Sequence, residues 1–253
     1  MIHDLRDKKI VFYGDIHMRV FDIVMDMYNR EDGTVYIILG DIGVGFKRIY
    51  INRDPKDENA VIVFENLKSH LKALEQPNSK VYVFRGNHDD PAYFTGELKE
   101  KIENDFPFVK IIEDYDEIIL NDGKTALVIP GGISVDRARR KTNESYWENE
   151  LIDYKGIDKI DKHYDVIISH SGPVPQSIAK RDKAGEPSIV TYYSAVDTEL
   201  YSTIAEEAKF WDKALDKIKP EKMFCGHYHI DEVNEVNGCT ITYLNIADAY
   251  EYI

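Results

Sequence analysis

Short runs of uninterrupted apolar residues alternate along the chain with longer stretches in which apolar residues return every three or four positions. The short runs are 9–14 (KIVFYG), 34–40 (TVYIILG), 80–86 (KVYVFRG), 125–131 (TALVIPG), 165–170 (DVIISH), 222–226 (KMFCG) and 240–245 (TITYLN). Several are continuous in Val, Ile, Phe and Tyr, the pattern of strands covered on both faces. Between them, Val20, Phe21, Val24, Met25 and Tyr28 read as one helical core face, and Val61, Phe64, Leu67, Leu71 and Leu74 as a second. A third stripe joins Leu200, Ile204, Ala208, Trp211, Leu215 and Ile218, with Pro220 as its stop. Asp90 before Pro91 reads as an N-cap and first-turn proline, opening a helix that turns Phe94, Leu98 and Ile102 inward.

Strand–helix–strand units with short connections predict an α/β architecture. The sequence has no internal repeat and no low-complexity linker, so 1–253 is expected to form one domain. Two polar stretches, near 47–59 and 173–197, read as loop insertions over one edge rather than domain boundaries.

Charge narrows the function classes. The net charge is −14 with no obvious basic stripe, which argues against stable nucleic-acid binding. Cys225 and Cys239 lie in apolar stretches and read as small core residues, so a reducing cytoplasm is the expected setting. The charged opening MIHDLRDKK lacks a secretory pattern, and no apolar run approaches membrane-spanning length, so no membrane partner is expected.

Polar chemistry gathers directly after the strands. The sequence GDIH supplies Asp15 and His17, GDIG supplies Asp41, and GNHD supplies Asn87, His88 and Asp89. The run DVIISH ends on His170, and GHYH supplies His227 and His229. Five of the eight histidines fall at these strand ends, whereas His3, His70 and His163 sit in charged contexts that suggest solvent exposure. Ligands of an open α/β sheet bind at the carboxyl ends of its strands, so all five groups are expected along one edge of the sheet. Gly14, Gly40, Gly86 and Gly226 each precede a polar residue and let the backbone turn sharply there. The Asp-x-His and His-x-His spacings put paired side chains on one side of an extended segment. Any single group could be an ordinary polar turn; their joint arrangement points to a metal site.

The ordered set GDIH, GDIG, GNHD, a lone His and GHYH resembles the calcineurin-like metallophosphoesterase superfamily, over nearly the whole chain from Asp15 to His229. The resemblance implies a four-layer α/β/β/α sandwich of two mostly mixed β-sheets flanked by helices. It also implies two divalent metal ions, one held by Asp15, His17 and His229, the other by Asn87, His170 and His227, with Asp41 bridging. Imidazole and carboxylate together suit Mn²⁺, or Fe or Zn²⁺, better than Mg²⁺ or Ca²⁺. The implied activity is hydrolysis of a phosphate mono- or diester, with a metal-bridging hydroxide attacking in line. His88 is then the catalytic group that protonates the leaving oxygen, and the partner is a small phosphorylated substrate. Arg85 is a candidate for holding a phosphate oxygen, or else a strand-end charge.

Three features depart from the superfamily's best-known branch. Met18 stands where a Gly is usual, GDIGVGF lacks the second Asp and the Arg of the serine/threonine phosphatases, and Asp89 replaces their Glu. The chain therefore falls outside that branch. The stretch GGISVDRARRK resembles a loop of small bacterial and phage members, in which Ser134, Asp136, Arg137, Arg139, Arg140 and Lys141 could line the substrate approach, with Arg137 the binding candidate; the alternative is a glycine turn with a solvated basic patch. Lys180, Arg181 and Lys183 read as a solvated loop, with a phosphate clamp as the alternative. A nuclease or cyclic-nucleotide phosphodiesterase is the competing enzyme, disfavoured by the acidic composition. A non-catalytic scaffold for protein binding predicts lost ligands, and here every ligand position is filled.

Overall fold

The apolar runs become strands, and their period-two alternation decides which core each side chain enters. The computed structural model describes residues 1–46, 67–185 and 188–253. A seven-stranded sheet runs β1 (Ile2–Asp4), β6 (Glu117–Ile119), β7 (Thr125–Ile129), β8 (Val166–Ser169), β9 (Lys222–Cys225), β11 (Cys239–Tyr243), β10 (Glu232–Val236). A five-stranded sheet runs β12 (Ala249–Tyr252), β2 (Ile10–Tyr13), β3 (Val35–Ile38), β4 (Lys80–Val83), β5 (Val109–Ile111). Both are mixed, with parallel centres: β2, β3, β4 and β5 pair in parallel, as do β7, β8, β9 and β11.

Neighbouring residues of one strand part company. Ile10 and Phe12 of β2 face the seven-stranded sheet, while Val11 and Tyr13 face the opposite side. Val128 of β7 and Phe224 of β9 meet them in the inter-sheet core, while Leu127 and Met223 turn to a third cluster. Phe12 stacks on Phe224 across the gap, ring centroids 4.7 Å apart. The outer faces pack under helices: α1 (Val20–Tyr28), α2 (Leu67–Ala73) and α3 (Gly96–Asp105) follow strands of the smaller sheet, and α6 (Leu200–Ile218) packs on the larger. This is the four-layer α/β/β/α sandwich. Two shorter helices, α4 (Gln176–Lys183) and α5 (Ile189–Ser194), precede α6.

Several expected faces are corrected. On α1 the core residues are Val20, Ile23 and Met27, while Phe21, Met25 and Tyr28 are exposed. The helix carries two overlapping apolar stripes about 100° apart, and the sheet covers only one. Pro91–Phe94 forms a 3₁₀ turn capped by Asp90, whose side chain accepts from Ala92 N–H, and α3 begins only at Gly96. Extended Thr95 resets the helical phase, so Phe94 and Ile102 are buried but Leu98 is exposed. On α6, Leu200, Trp211, Leu215 and Ile218 are buried as expected, whereas Ala208 is exposed and Ile204 half-buried. The stretch 173–197, read as a polar loop, contains α4 and α5. The loop expected near 47–59, with Val61 and Phe64, lies outside the described residues, as do the side chains of Leu67 and His70; Leu71 and Leu74 are buried as expected. His3 does not face solvent: its ring is largely buried and lies 3.3 Å from Asp116. Cys225 and Cys239 are buried free thiols.

The inter-sheet stack generates a prediction. Phe224→Ala should destabilise the protein by about 3–5 kcal/mol in urea denaturation, because a buried aromatic leaves a cavity between two rigid sheets. Met25→Gln on the exposed stripe of α1 should change stability by no more than about 0.5 kcal/mol.

Candidate metal centre

The strand-end groups meet, although not along one sheet. Asp15 and His17 follow β2, Asp41 follows β3, and Asn87 and His88 follow β4, all in the five-stranded sheet. His170 follows β8, and His227 and His229 follow β9, in the seven-stranded sheet. The centre is therefore assembled where the carboxyl ends of two sheets face each other, a correction to the single edge expected.

The local backbone is also less regular than the spacings suggested. His17, Asp41, His227 and His229 have φ of 40°, 50°, 67° and 54°, so none lies in an extended segment. Left-handed backbone costs a non-glycine residue roughly 1–3 kcal/mol unless its surroundings hold it. Here they do: His17 N–H donates to the Asp41 carbonyl at 2.8 Å, and His227 N–H donates to Asp15 Oδ1 at 2.9 Å. Two glycines are required by crowding. A Cβ on Gly86 would lie 2.1 Å from Asp41 Oδ1, and one on Gly226 would lie 2.0 Å from Asp15 Oδ1.

Donor atoms converge in two groups. Asn87 Oδ1 lies 2.9 Å from both His170 Nε2 and His227 Nδ1, which are 3.2 Å from each other. His229 Nε2 lies 2.8 Å from His17 Nε2 and 3.1 Å from Asp15 Oδ2, with His17 Nε2 at 3.6 Å from the same oxygen. Ligands about 2.1 Å from a shared cation and at right angles to one another lie about 3.0 Å apart, so both groups have the spacing of a ligand set. Asp41 stands between them: Oδ1 is 3.4 Å from His170 Nε2 and Oδ2 is 3.7 Å from His17 Nε2. Its Oδ1 also accepts from His88 N–H at 2.7 Å, which fixes the carboxylate plane.

Hydrogen bonding shows why these atoms need a cation. His170 Nδ1 lies 2.8 Å from the Leu39 carbonyl, which can only accept, so Nδ1 carries the proton. In a neutral ring Nε2 then presents a lone pair to the lone pairs of Asn87 Oδ1. An added proton or a shared cation makes that contact attractive, so the residues fit a bound metal. The charges agree. Burial opposes charge on His170, but Asp41 and Asp15 outweigh it and raise its pKa. Burial likewise opposes charge on His17, and Asp15 with Asp41 again raises it. Burial together with charged His170 pushes His227 down to about 3, leaving it neutral. Asp15 is fully buried, yet His170, His17 and His229 hold its carboxyl well below the usual range.

His88 stands at the open side. Arg140 approaches its Nε2 at 2.7 Å, and a guanidinium only donates, so Nε2 accepts and the ring is neutral. Burial and the Arg140 charge push its pKa well below the ordinary value. Arg140 also donates to Ser134 Oγ at 2.9 Å and pairs with Asp136 at 2.6 Å. Ser134 Oγ in turn accepts from Asn87 Nδ2 at 3.0 Å, and Ser134 N–H donates to buried Glu150 at 2.9 Å. Asp89 accepts from Gly43, Val44 and Gly86 N–H groups and ties the second strand-end loop to the third.

The two arginines singled out for substrate lie elsewhere. Arg85 is buried, pairs with Asp114, and donates to the Glu150 and Leu151 carbonyls at 2.8 and 3.1 Å, so it clamps a loop. Arg137 pairs with Asp197 at 2.6 Å and donates to Thr203 at 3.0 Å. Arg140 is the arginine at the site. Its place four residues after Asp136 was the available signal, because the 3₁₀ turn Arg137–Arg139 brings those two side chains together. Nothing in the sequence marked Glu150.

Two outcomes follow. Asp15 and Asp41 strengthen proton binding at His17 and His170, and a cation competes with those protons, so Mn²⁺ affinity should weaken as pH is lowered, with proton release on binding seen by calorimetry in buffers of different ionisation enthalpy. Gly86→Ala should reduce metal content by displacing Asp41, while Gly123→Ala at an open turn should leave metal content unchanged; both are checked by elemental analysis after dialysis against Mn²⁺.

Among the described residues no helix is long and apolar enough to cross a membrane. No curated protein matches the sequence. One crystal structure, 11% identical, superimposes with a TM-score of 0.53 over 94% of this chain and 91% of its own, a likeness of fold. TT1561 of Thermus thermophilus follows at 7% identity and TM-score 0.49, covering 95% and 90%. Phosphopantetheinyl hydrolase from Mycobacterium tuberculosis follows at 12% and 0.46, covering 94% and 90%. The calcineurin-like phosphoesterase profile matches residues 8–231, which span every group of the centre, and the chain belongs to that family of dinuclear-metal phosphoesterases.

Proposed function

We propose that this protein hydrolyses a phosphate ester with two divalent cations, held by Asp15, His17 and His229 on one side and Asn87, His170 and His227 on the other, with Asp41 shared. The single observation that carries the reading is the pair of donor groups joined by one carboxylate, with His88 and Arg140 in contact on their open side. Mn²⁺ suits the mixed imidazole, carboxylate and amide donors, with Fe or Zn²⁺ as the alternatives. When bound, such ions supply positive charge that holds phosphoryl oxygens and acidifies water.

The chain's own groups do the rest. Arg140 exchanges its contact with His88 for a phosphoryl oxygen. The arriving anion adds negative charge beside His88 and raises its pKa, so the freed Nε2 takes up a proton from solvent, which His88 then delivers to the leaving oxygen. Asn87 and Ser134 keep Arg140 in line with the centre. The two free, buried cysteines suit a reducing cytoplasm.

The assay is direct: Mn²⁺-loaded protein should hydrolyse p-nitrophenyl phosphate or bis-p-nitrophenyl phosphate, and the ratio of rates assigns a monoesterase or a diesterase. Turnover of neither ester would overturn the reading. Asp41→Asn should lower the content of both metals together. His88→Ala should reduce kcat about 10²–10⁴-fold with metal content retained. Arg140→Ala should raise KM and lower kcat, whereas Arg85→Ala should act on stability.

A further inference from the structure

The centre opens into a cavity of about 490 Å³ whose far walls are apolar. Asp41, Asn87, His88, His227 and His229 form its inner end, and Arg140 lies beside them. The opposite walls come from the two short helices and the start of α6: Ile178 on α4, Ile189, Val190 and Tyr193 on α5, and Tyr201 and Ile204 on α6. Ile133 and Val135, from the loop after β7, complete the apolar lining.

The canopy is fastened in place. Arg137 of the β7 loop pairs with Asp197 at 2.6 Å, and Arg139 donates to Tyr192 OH at 2.8 Å with its guanidinium over that ring. Side chains that line the cavity nevertheless stay open to solvent, with Ile189 62% and Tyr201 55% exposed. Large apolar side chains gathered round a cleft, continuous with a reactive centre, are how proteins seat an apolar ligand body.

Charge restricts that body further. Among the described residues lining the cavity, Arg140 is the one cation apart from the imidazoles, and Asp136 already pairs with it. Asp182 and Glu207 add carboxyl groups to the same walls. A second phosphate, a sugar acid or a polynucleotide strand would meet carboxyl groups, hydrocarbon and the neutral hydroxyls of Tyr193 and Tyr201, with no further cation to balance its charge.

We propose that the alcohol portion of the substrate is an uncharged, mainly apolar group, aliphatic or aromatic, which lies under α4 and α5 while its phosphoryl end sits at the metal centre. The proposal rests on the phosphoesterase reading for its phosphoryl end. It assigns α4 and α5 a role in substrate selection. Burying a methylene is worth about a fourfold gain in affinity.

The test separates the two readings. Binding of methyl-, butyl- and octylphosphonate to the Mn²⁺-loaded full chain is measured by calorimetry, beside hydrolysis of the matching alkyl phosphates and of glycerol phosphate. Affinity and kcat/KM should rise about fourfold per added methylene until the cavity is filled, and glycerol phosphate should be the poorest substrate. Ile178→Asn and Ile189→Asn should flatten that slope while leaving methylphosphonate binding unchanged. Ile189 is exposed, so its replacement keeps the fold. A flat slope in the unmodified protein, with hydrolysis intact, overturns the apolar seat and leaves the phosphoesterase standing. A steep binding slope with no ester hydrolysed supports the seat and removes the catalytic reading instead. An aryl series such as phenyl- and naphthylphosphonate that outbinds alkyl chains of equal carbon number narrows the alcohol to aromatics.

Discussion

Two carboxylates taken out of water, Asp15 and Asp41, set the terms for everything around them. Each is almost wholly buried, and an isolated ionised carboxylate in such a place is prohibitively costly. Positive charge must therefore reach both. In the polypeptide alone the two carboxylates raise the proton affinity of His17 and His170; in the proposed metal-bound form the cations would supply that charge and the imidazoles would act as ligands. The glycines and left-handed residues beside them serve that one requirement, because they let loops approach the carboxylates more closely than a side chain would allow.

Around the centre lies a layer that holds it without touching a substrate. Leu39 fixes the tautomer of His170, Asp89 joins two strand-end loops through three backbone N–H groups, and Ser134 couples Asn87 to Arg140. Glu150, fully buried, accepts from Ser134, and burial pushes its pKa up to about 7. Positioning of this kind leaves the contact between Arg140 and His88 facing the open cavity.

Much of this was legible in the sequence because it depends on short-range pattern. A strand followed by Gly and a metal-binding side chain is a local signal, and its repetition pointed to the candidate centre; apolar periodicity gave the α/β pattern and part of each helix face, while the two-sheet sandwich came only with the family resemblance. What depends on tertiary context was not legible. The choice between two stripes on α1 is made by the sheet beneath it, and the burial of Arg85 is decided by Asp114 and by the carbonyls of Glu150 and Leu151. The 173–197 stretch reads as polar loop because α4 and α5 are short and one-sided, and their apolar residues face a cavity instead of a core.

The division of the candidate ligands between the sheets, three strands from one and two from the other, makes the inter-sheet core the element that aligns them. A shift of one sheet against the other by a fraction of an ångström separates His170 and His227 from Asn87. Phe12 and Phe224, stacked across that seam, thereby help to set the spacing between the two halves of the candidate centre. Loosening that hydrocarbon seam would weaken the fold and misalign the donor groups together.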